Sequence, residues 1–141
     1  LESLKAEEKM IPTWANLNTA VEDLLSRVDW SRGGLGGAPK FPNSMIFSFL
    51  WRFSLATQHS NALATAKAKE AALLSLTEMA KGGIYDQLGG GFHRYSVDEN
   101  WSVPHFEKML YDNGLLLKLY AEVLLTANDL APELDQLYTR V

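Results

Sequence analysis

Apolar residues recur along this chain at helical spacing, interrupted by two glycine-rich segments. Trp14, Leu17, Val21, Leu24, Leu25 and Val28 make one apolar stripe. The stripe predicts a helix from about Thr13 to Val28, with Thr13 as N-cap after Pro12. From Asn43 to about Thr57, Met45, Ile46, Phe47, Phe49, Leu50, Trp51 and Phe53 make a second helix apolar nearly all round. Such a helix is buried on several sides. Asn43, after Pro42, is placed to cap it. An Ala-rich third helix carries Leu73, Leu74, Leu76 and Met79 from about Ala62 to Lys81, and Gly82-Gly83 follow where a C′ glycine is expected. A fourth is predicted to start near Pro104, a favoured first-turn residue, and to run to about Thr126 along Phe106, Met109, Leu110, Asn113, Leu116, Leu117, Tyr120 and Leu124. A fifth begins near Pro132 and reaches the C-terminus. From Phe92 to Val97, side chains alternate in a way that fits a short hairpin inside a loop. The whole reads as all-α, with antiparallel helix hairpins and one long motif loop.

Composition narrows the functions. The chain has 141 residues, 47% hydrophobic and 21% charged, which is a globular composition. With no cysteine it holds no disulfide, thiolate metal site or dithiol centre. Its 13 Lys+Arg against 17 Asp+Glu leave no basic stripe for a phosphate backbone, so nucleic acid is not an expected partner. No apolar run approaches the roughly 18 residues of a membrane span, and the first ten residues lack a signal-peptide core. No membrane partner and a cytoplasmic location are therefore expected. The chain begins Leu-Glu-Ser-Leu without an initiator Met, so it is expected to be a piece of something longer.

Nine of the ten glycines fall in Gly33–Gly37 and Gly82–Gly91. The first cluster lacks the Gly-Lys-Ser/Thr ending of a phosphate cradle and follows a helix, so it reads as a tight loop where backbones pack closely. Lys40, at its exit, is a candidate for facing a cleft. The second cluster opens the segment from Gly82 to Asn113. Between Asp86 and Asp112 stand five acids (Asp86, Asp98, Glu99, Glu107, Asp112) against two bases (Arg94, Lys108), a local charge of −3. His93, His105 and interleaved aromatics share the segment. Histidines and carboxylates are the usual proton-transfer groups, and aromatic faces among hydrogen-bonding groups suit a hydroxyl-rich, sugar-like ligand. The candidate acid/base residues are thus His93, His105, Asp86, Glu107 and Asp112. The candidate ligand contacts are Tyr85, Arg94, Tyr95, Trp101 and Lys40. Both histidines also have a structural reading, as residues bonded to nearby backbone. His59 reads as structural, and Trp14, Trp51 and Tyr120 as core. On a helix starting at Pro104, Glu107 points roughly 200° away from His105, which rules out a helix-face metal motif. No metal and no cofactor is expected.

Two segments carry a family resemblance. They are Gly33 to Pro42, with Asp29 ahead of it, and the run Gly-Gly-Ile-Tyr-Asp-Gln-Leu-Gly-Gly-Gly-Phe-His-Arg-Tyr-Ser-Val-Asp through Val-Pro-His-Phe-Glu-Lys-Met-Leu-Tyr-Asp-Asn. Together they resemble the thioredoxin-domain-containing family that includes spermatogenesis-associated protein 20 and bacterial relatives, over about residues 13–128. The resemblance implies an N-terminal thioredoxin-like domain outside this chain. It also implies an (α/α)6 toroid similar to N-acylglucosamine 2-epimerases and six-hairpin glycosidases. Residues 13–141 would be the N-terminal part of that toroid, about five helices, and residues 1–12 a linker or tail. The motif loop would lie at the mouth of a cavity where relatives bind sugars. Only the family's own motif matches, so no epimerase role transfers to a single residue here.

Three functions compete on this reading. One is a carbohydrate-related binding or acid/base site, epimerase-like or glycosidase-like. Another is a non-catalytic module whose motif latches the loop so that a thioredoxin-like domain docks. The third is a redox accessory resting on fold analogy alone. A partial toroid should leave apolar surface around Phe47, Trp51 and the 115–125 face, and so contact missing parts of its parent chain or self-associate.

Overall fold

The computed structural model describes residues 11–56 and 61–141. Among them are five helices: α1 (Trp14–Ser26), α2 (Ser44–Leu55), α3 (Ala62–Lys81), α4 (Leu110–Thr126) and α5 (Pro132–Thr139). No strand occurs among the described residues, so the fold is all-α. The expected end of α2 at Thr57, and the structural role given to His59, lie outside the described residues.

α3 is the hub, packing against α1, α2 and α5, while α4 lies against α2 and α5. Its composition explains this. Ala64, Ala68, Ala71, Ala72 and Ala80 are buried, and small side chains let neighbouring helices come close. Phe47, Leu50 and Trp51 of α2 and Leu116, Tyr120 and Val123 of α4 complete the core. The expected cap at Thr13 is present as a capping box with Asn16. Asn43 stands before α2 in the left-handed region, φ 48°, and its side chain makes no cap bond.

Several expectations are corrected by tertiary packing. Phe47 and Trp51 are wholly buried within this chain rather than left uncovered, and Trp51 Nε1 donates to Thr126 Oγ1 at 2.9 Å. Trp14, expected in the core, is 44% exposed. Gly82 is extended (ψ 170°), not a left-handed cap. A Cβ there would meet Trp101 O at 2.6 Å, and one on Gly83 would collide with Ser102 O, so both glycines admit the returning loop.

The largest correction concerns α4, which starts at Leu110 and not near Pro104. The segment before it pairs instead with the preceding loop. Val97 N donates to Val103 O, His105 N to Tyr95 O, and Arg94 N to Glu107 O. Ser96 bridges both Pro104 and Lys40. The alternation of 92–97 therefore appears as isolated bridges and not as a hairpin of regular strands. Helical angles between His105, Glu107 and Asp112 do not apply, because 105 and 107 precede the helix in loop backbone.

Candidate functional site

The two glycine loops are fastened by one buried lysine. Lys40 Nζ donates to Asp29 Oδ2 at 2.7 Å and to Glu99 O at 2.9 Å, and lies over the Trp101 ring at 5.2 Å. The Trp101 indole is fully buried and donates to Arg32 O at 2.8 Å. Gly34 makes the room: a Cβ there would stand 2.5 Å from Trp101 and 2.8 Å from Lys40. Burial pushes the Asp29 carboxyl up, but bonds from Lys40, Ser31 and Arg32 outweigh it and hold the group well below the usual carboxylate range.

Most acids of the motif loop serve its backbone. Asp86 accepts from the amides of Leu88 and Gly89 and from Lys108 Nζ at 2.6 Å. The Gly89 amide, then Lys108, lowers its pKa. Asp98 accepts from the amides of Asn100, Ser102 and Val103 and from Ser96 Oγ. Burial raises the Asp98 carboxyl, yet these donors leave it lowered overall. Asn113 clasps Phe92 in both directions, its Oδ1 accepting from Phe92 N at 2.6 Å and its Nδ2 donating to Phe92 O at 3.0 Å.

The two histidines occupy different surroundings. His93 meets the edge of Phe106, with ring centroids 5.4 Å apart, and its Nδ1 is buried without a hydrogen-bond partner. Burial, then the Lys108 charge, lowers its pKa, with Asp86 opposing. His105 stacks on Tyr95 at 4.6 Å, and Tyr95 in turn meets Phe41 at 4.9 Å. Glu107 Oε2 lies 3.5 Å from Arg94 Nη1 and 3.7 Å from His105 Nδ1.

Arg94 connects this group to a cleft of about 340 Å³ between the start of α2 and the start of α4. Phe41, Asn43, Met45, Arg94, Tyr111 and Asp112 are among its walls. Burial raises the Asp112 carboxyl, with the Arg94 charge opposing. A carboxyl whose pKa burial raises, lining a cleft beside an arginine, is a candidate for proton transfer.

The structure thus brings Arg94, Asp112, Glu107, His105 and Tyr95 to one side of the motif loop. It sets His93 and Asp86 apart from them, with Lys108. Lys40, Tyr85 and Trp101, expected to face a ligand, are interior: Lys40 is 1% exposed and Tyr85 4%, the Tyr85 hydroxyl donating to Arg140 O. Sequence reasoning left Phe41 and Tyr111 out of the site, and Asp29, Asp98 and Asn113 out of the latch. Asp98 had a local signal, since an Asp opening Asp-Glu-Asn is a turn former. Among the described residues no three His, Asp or Glu side chains converge as a metal-ligand set. No described helix is long and apolar enough to cross a membrane.

Sequence comparison supplies relatives. Spermatogenesis-associated protein 20 of Homo sapiens is 40% identical over 124 residues, which is 87% of this chain and 16% of that protein. The Rattus norvegicus protein of the same name is 39% identical over the same length and shares. An uncharacterised protein of Caenorhabditis elegans is 45% identical over 100 residues, 69% of this chain and 13% of its own length. The chain therefore spans about one sixth or less of these relatives. No family model matches it.

Proposed function

The chain is related to spermatogenesis-associated protein 20, and from that kinship we propose that it is a toroid segment of a longer polypeptide with a thioredoxin-like domain elsewhere. We further propose that the cleft beside Arg94 binds a hydroxyl-rich, sugar-like molecule. One observation carries the second proposal. Asp29, Asp86 and Asp98 are occupied by loop backbone, whereas Glu107 and Asp112 are not; Asp112 lines an aromatic-walled cleft with Arg94, and Glu107 lies 3.5 Å from the Arg94 guanidinium. Phe41 and Tyr111 offer flat faces to a sugar ring, and Arg94 donates to its oxygens. Asp112, its carboxyl raised by burial, is the general acid, and Glu107, seated between Arg94 and His105, is the second carboxylate. Two carboxyls with different environments are what proton transfer at a sugar carbon or glycosidic oxygen requires.

Calorimetry with glucose, N-acetylglucosamine and maltose tests this. Binding that Arg94→Gln and Asp112→Asn each weaken at least tenfold supports the site. Absence of heat with all three, and no rise in melting temperature, counts against it.

A second reading rests on the Lys40 latch and on the occupied polar side chains around it. There the motif is architectural and the region docks a thioredoxin-like domain. That reading expects no small ligand to stabilise the protein, and expects loop variants to lower stability alone.

A further inference from the structure

The cleft beside Arg94 adjoins a second one of about 330 Å³, and Ser44, Met45 and Leu115 are walls of both. Phe41 and Tyr111 stand in the first, while Ser48, Phe49, Arg52 and Lys118 stand in the second. Numbering rises in the same sense on both helices, so α2 and α4 run side by side in one direction with a groove between them. Met45, 73% exposed, is the partition within that groove. An unbranched thioether side chain changes rotamer easily. With Met45 turned aside, the two clefts make one pocket well within the about 300–1,000 Å³ usual for small-molecule sites.

The chemistry changes along the groove. Arg94, Asp112 and Tyr111 make its first end polar, and Met45, Phe49 and Leu115 make its middle apolar. The far end is cationic. Arg52 is held by Glu122 in two bonds, of 2.7 and 2.8 Å, which tie α2 to α4. Lys118 acts on the same carboxylate through its charge alone, so two cations here face one acid. Asp112 and Lys118 are six residues apart on α4, a rise of roughly 9 Å. That is the span of a sugar ring joined to a second six-membered ring with a charged substituent.

We propose that the groove takes one elongated ligand, a glycoside whose aglycone is an apolar ring bearing an anionic group. The sugar lies against Phe41 and Tyr111, the apolar ring against Met45, Phe49 and Leu115, and the anion beside Lys118. This rests on the sugar reading of the Arg94 cleft and adds to it the class of aglycone.

Calorimetry on the native polypeptide tests it with methyl, phenyl and 4-carboxyphenyl glycosides of glucose and of N-acetylglucosamine. For one of the two sugars, the 4-carboxyphenyl glycoside binds at least tenfold more tightly than the methyl glycoside. Ser48→Phe, which fills the second cleft, reduces that ratio below threefold. Lys118→Ala, at an exposed position, weakens the 4-carboxyphenyl glycoside at least threefold and leaves the phenyl glycoside within twofold. Methyl and 4-carboxyphenyl glycosides of equal affinity overturn the proposal while the sugar reading of the first cleft stands. A preference for the 4-carboxyphenyl glycoside that neither Ser48→Phe nor Lys118→Ala alters overturns it too, because the aglycone then lies elsewhere. If no glycoside binds, both readings fall together.

Discussion

Lys40 and Asp29 form an ion pair of 2.7 Å in which the lysine side chain has no exposure and the aspartate side chain 20%. The same ammonium reaches Glu99 O in the second loop, so one residue joins segments 59 positions apart. Removing one member of a buried pair strands the other, at a typical cost of about 3 kcal/mol. Lys40→Met should therefore lower unfolding free energy by that order in urea titration. Adding Asp29→Asn should recover part of the loss, because the stranded charge is then gone.

The fold was legible wherever its causes are local. Apolar spacing, with the Thr13 cap for α1, placed α1 and α3 within two residues of their ends, because a stripe and an N-cap act within a few turns. The start of α4 was not legible. Pro104 favours a first turn, but residues 103–107 find hydrogen-bond partners at 94–97, and that pairing wins. The candidate site divided in the same way. Its residue types were readable in the acidic, aromatic loop. Which acids are consumed by backbone amides depends on the loop's path, so Asp86 and Asp112 looked alike in sequence and differ in structure. Lys40 and Trp101 looked like ligand contacts because nothing local announces that Gly34 opens a space for both.

Acid should loosen the latch. The folded-state pKa of Asp29 lies below its ordinary 3.8. Its stabilisation is therefore complete above that value and is lost as pH falls toward the folded pKa. Urea midpoints measured from pH 6 down to pH 2.5 should fall through the acid range. Asp29→Asn should be less stable at pH 6 and show a shallower acid limb. An unchanged limb would show that other carboxylates carry the acid response.

His93 should add a second, higher limb. Its pKa is lowered from 6.5 by burial and by Lys108, so the folded state binds its proton less readily than the unfolded chain does. Stability from this group is present above 6.5 and is lost as pH drops through its folded value. His93→Phe should flatten the midpoint-versus-pH curve below pH 6.5. Carbon-detected NMR titration of the imidazole should give the depressed pKa directly.

Two glycines of one loop should respond in opposite ways to alanine. Gly34 has φ +75°, and its Cβ would lie 2.5 Å from a Trp101 ring atom and 2.8 Å from Lys40 Cε. Neither neighbour has room to retreat, since Trp101 is wholly buried and Lys40 is tied to Asp29 and Glu99 O. Gly34→Ala combines left-handed backbone strain with overpacking, and should cost about 2–3 kcal/mol. Gly36, two positions on, is exposed, has no positive φ, and offers a Cβ only an ordinary 3.8 Å contact with Arg27 O. There alanine mainly restricts the unfolded chain, so Gly36→Ala should be neutral or stabilising by up to about 1 kcal/mol. Chemical unfolding of both variants at neutral pH checks the pair. Equal effects would mean that loop flexibility, and not the Trp101–Lys40 contact, decides what these glycines are for.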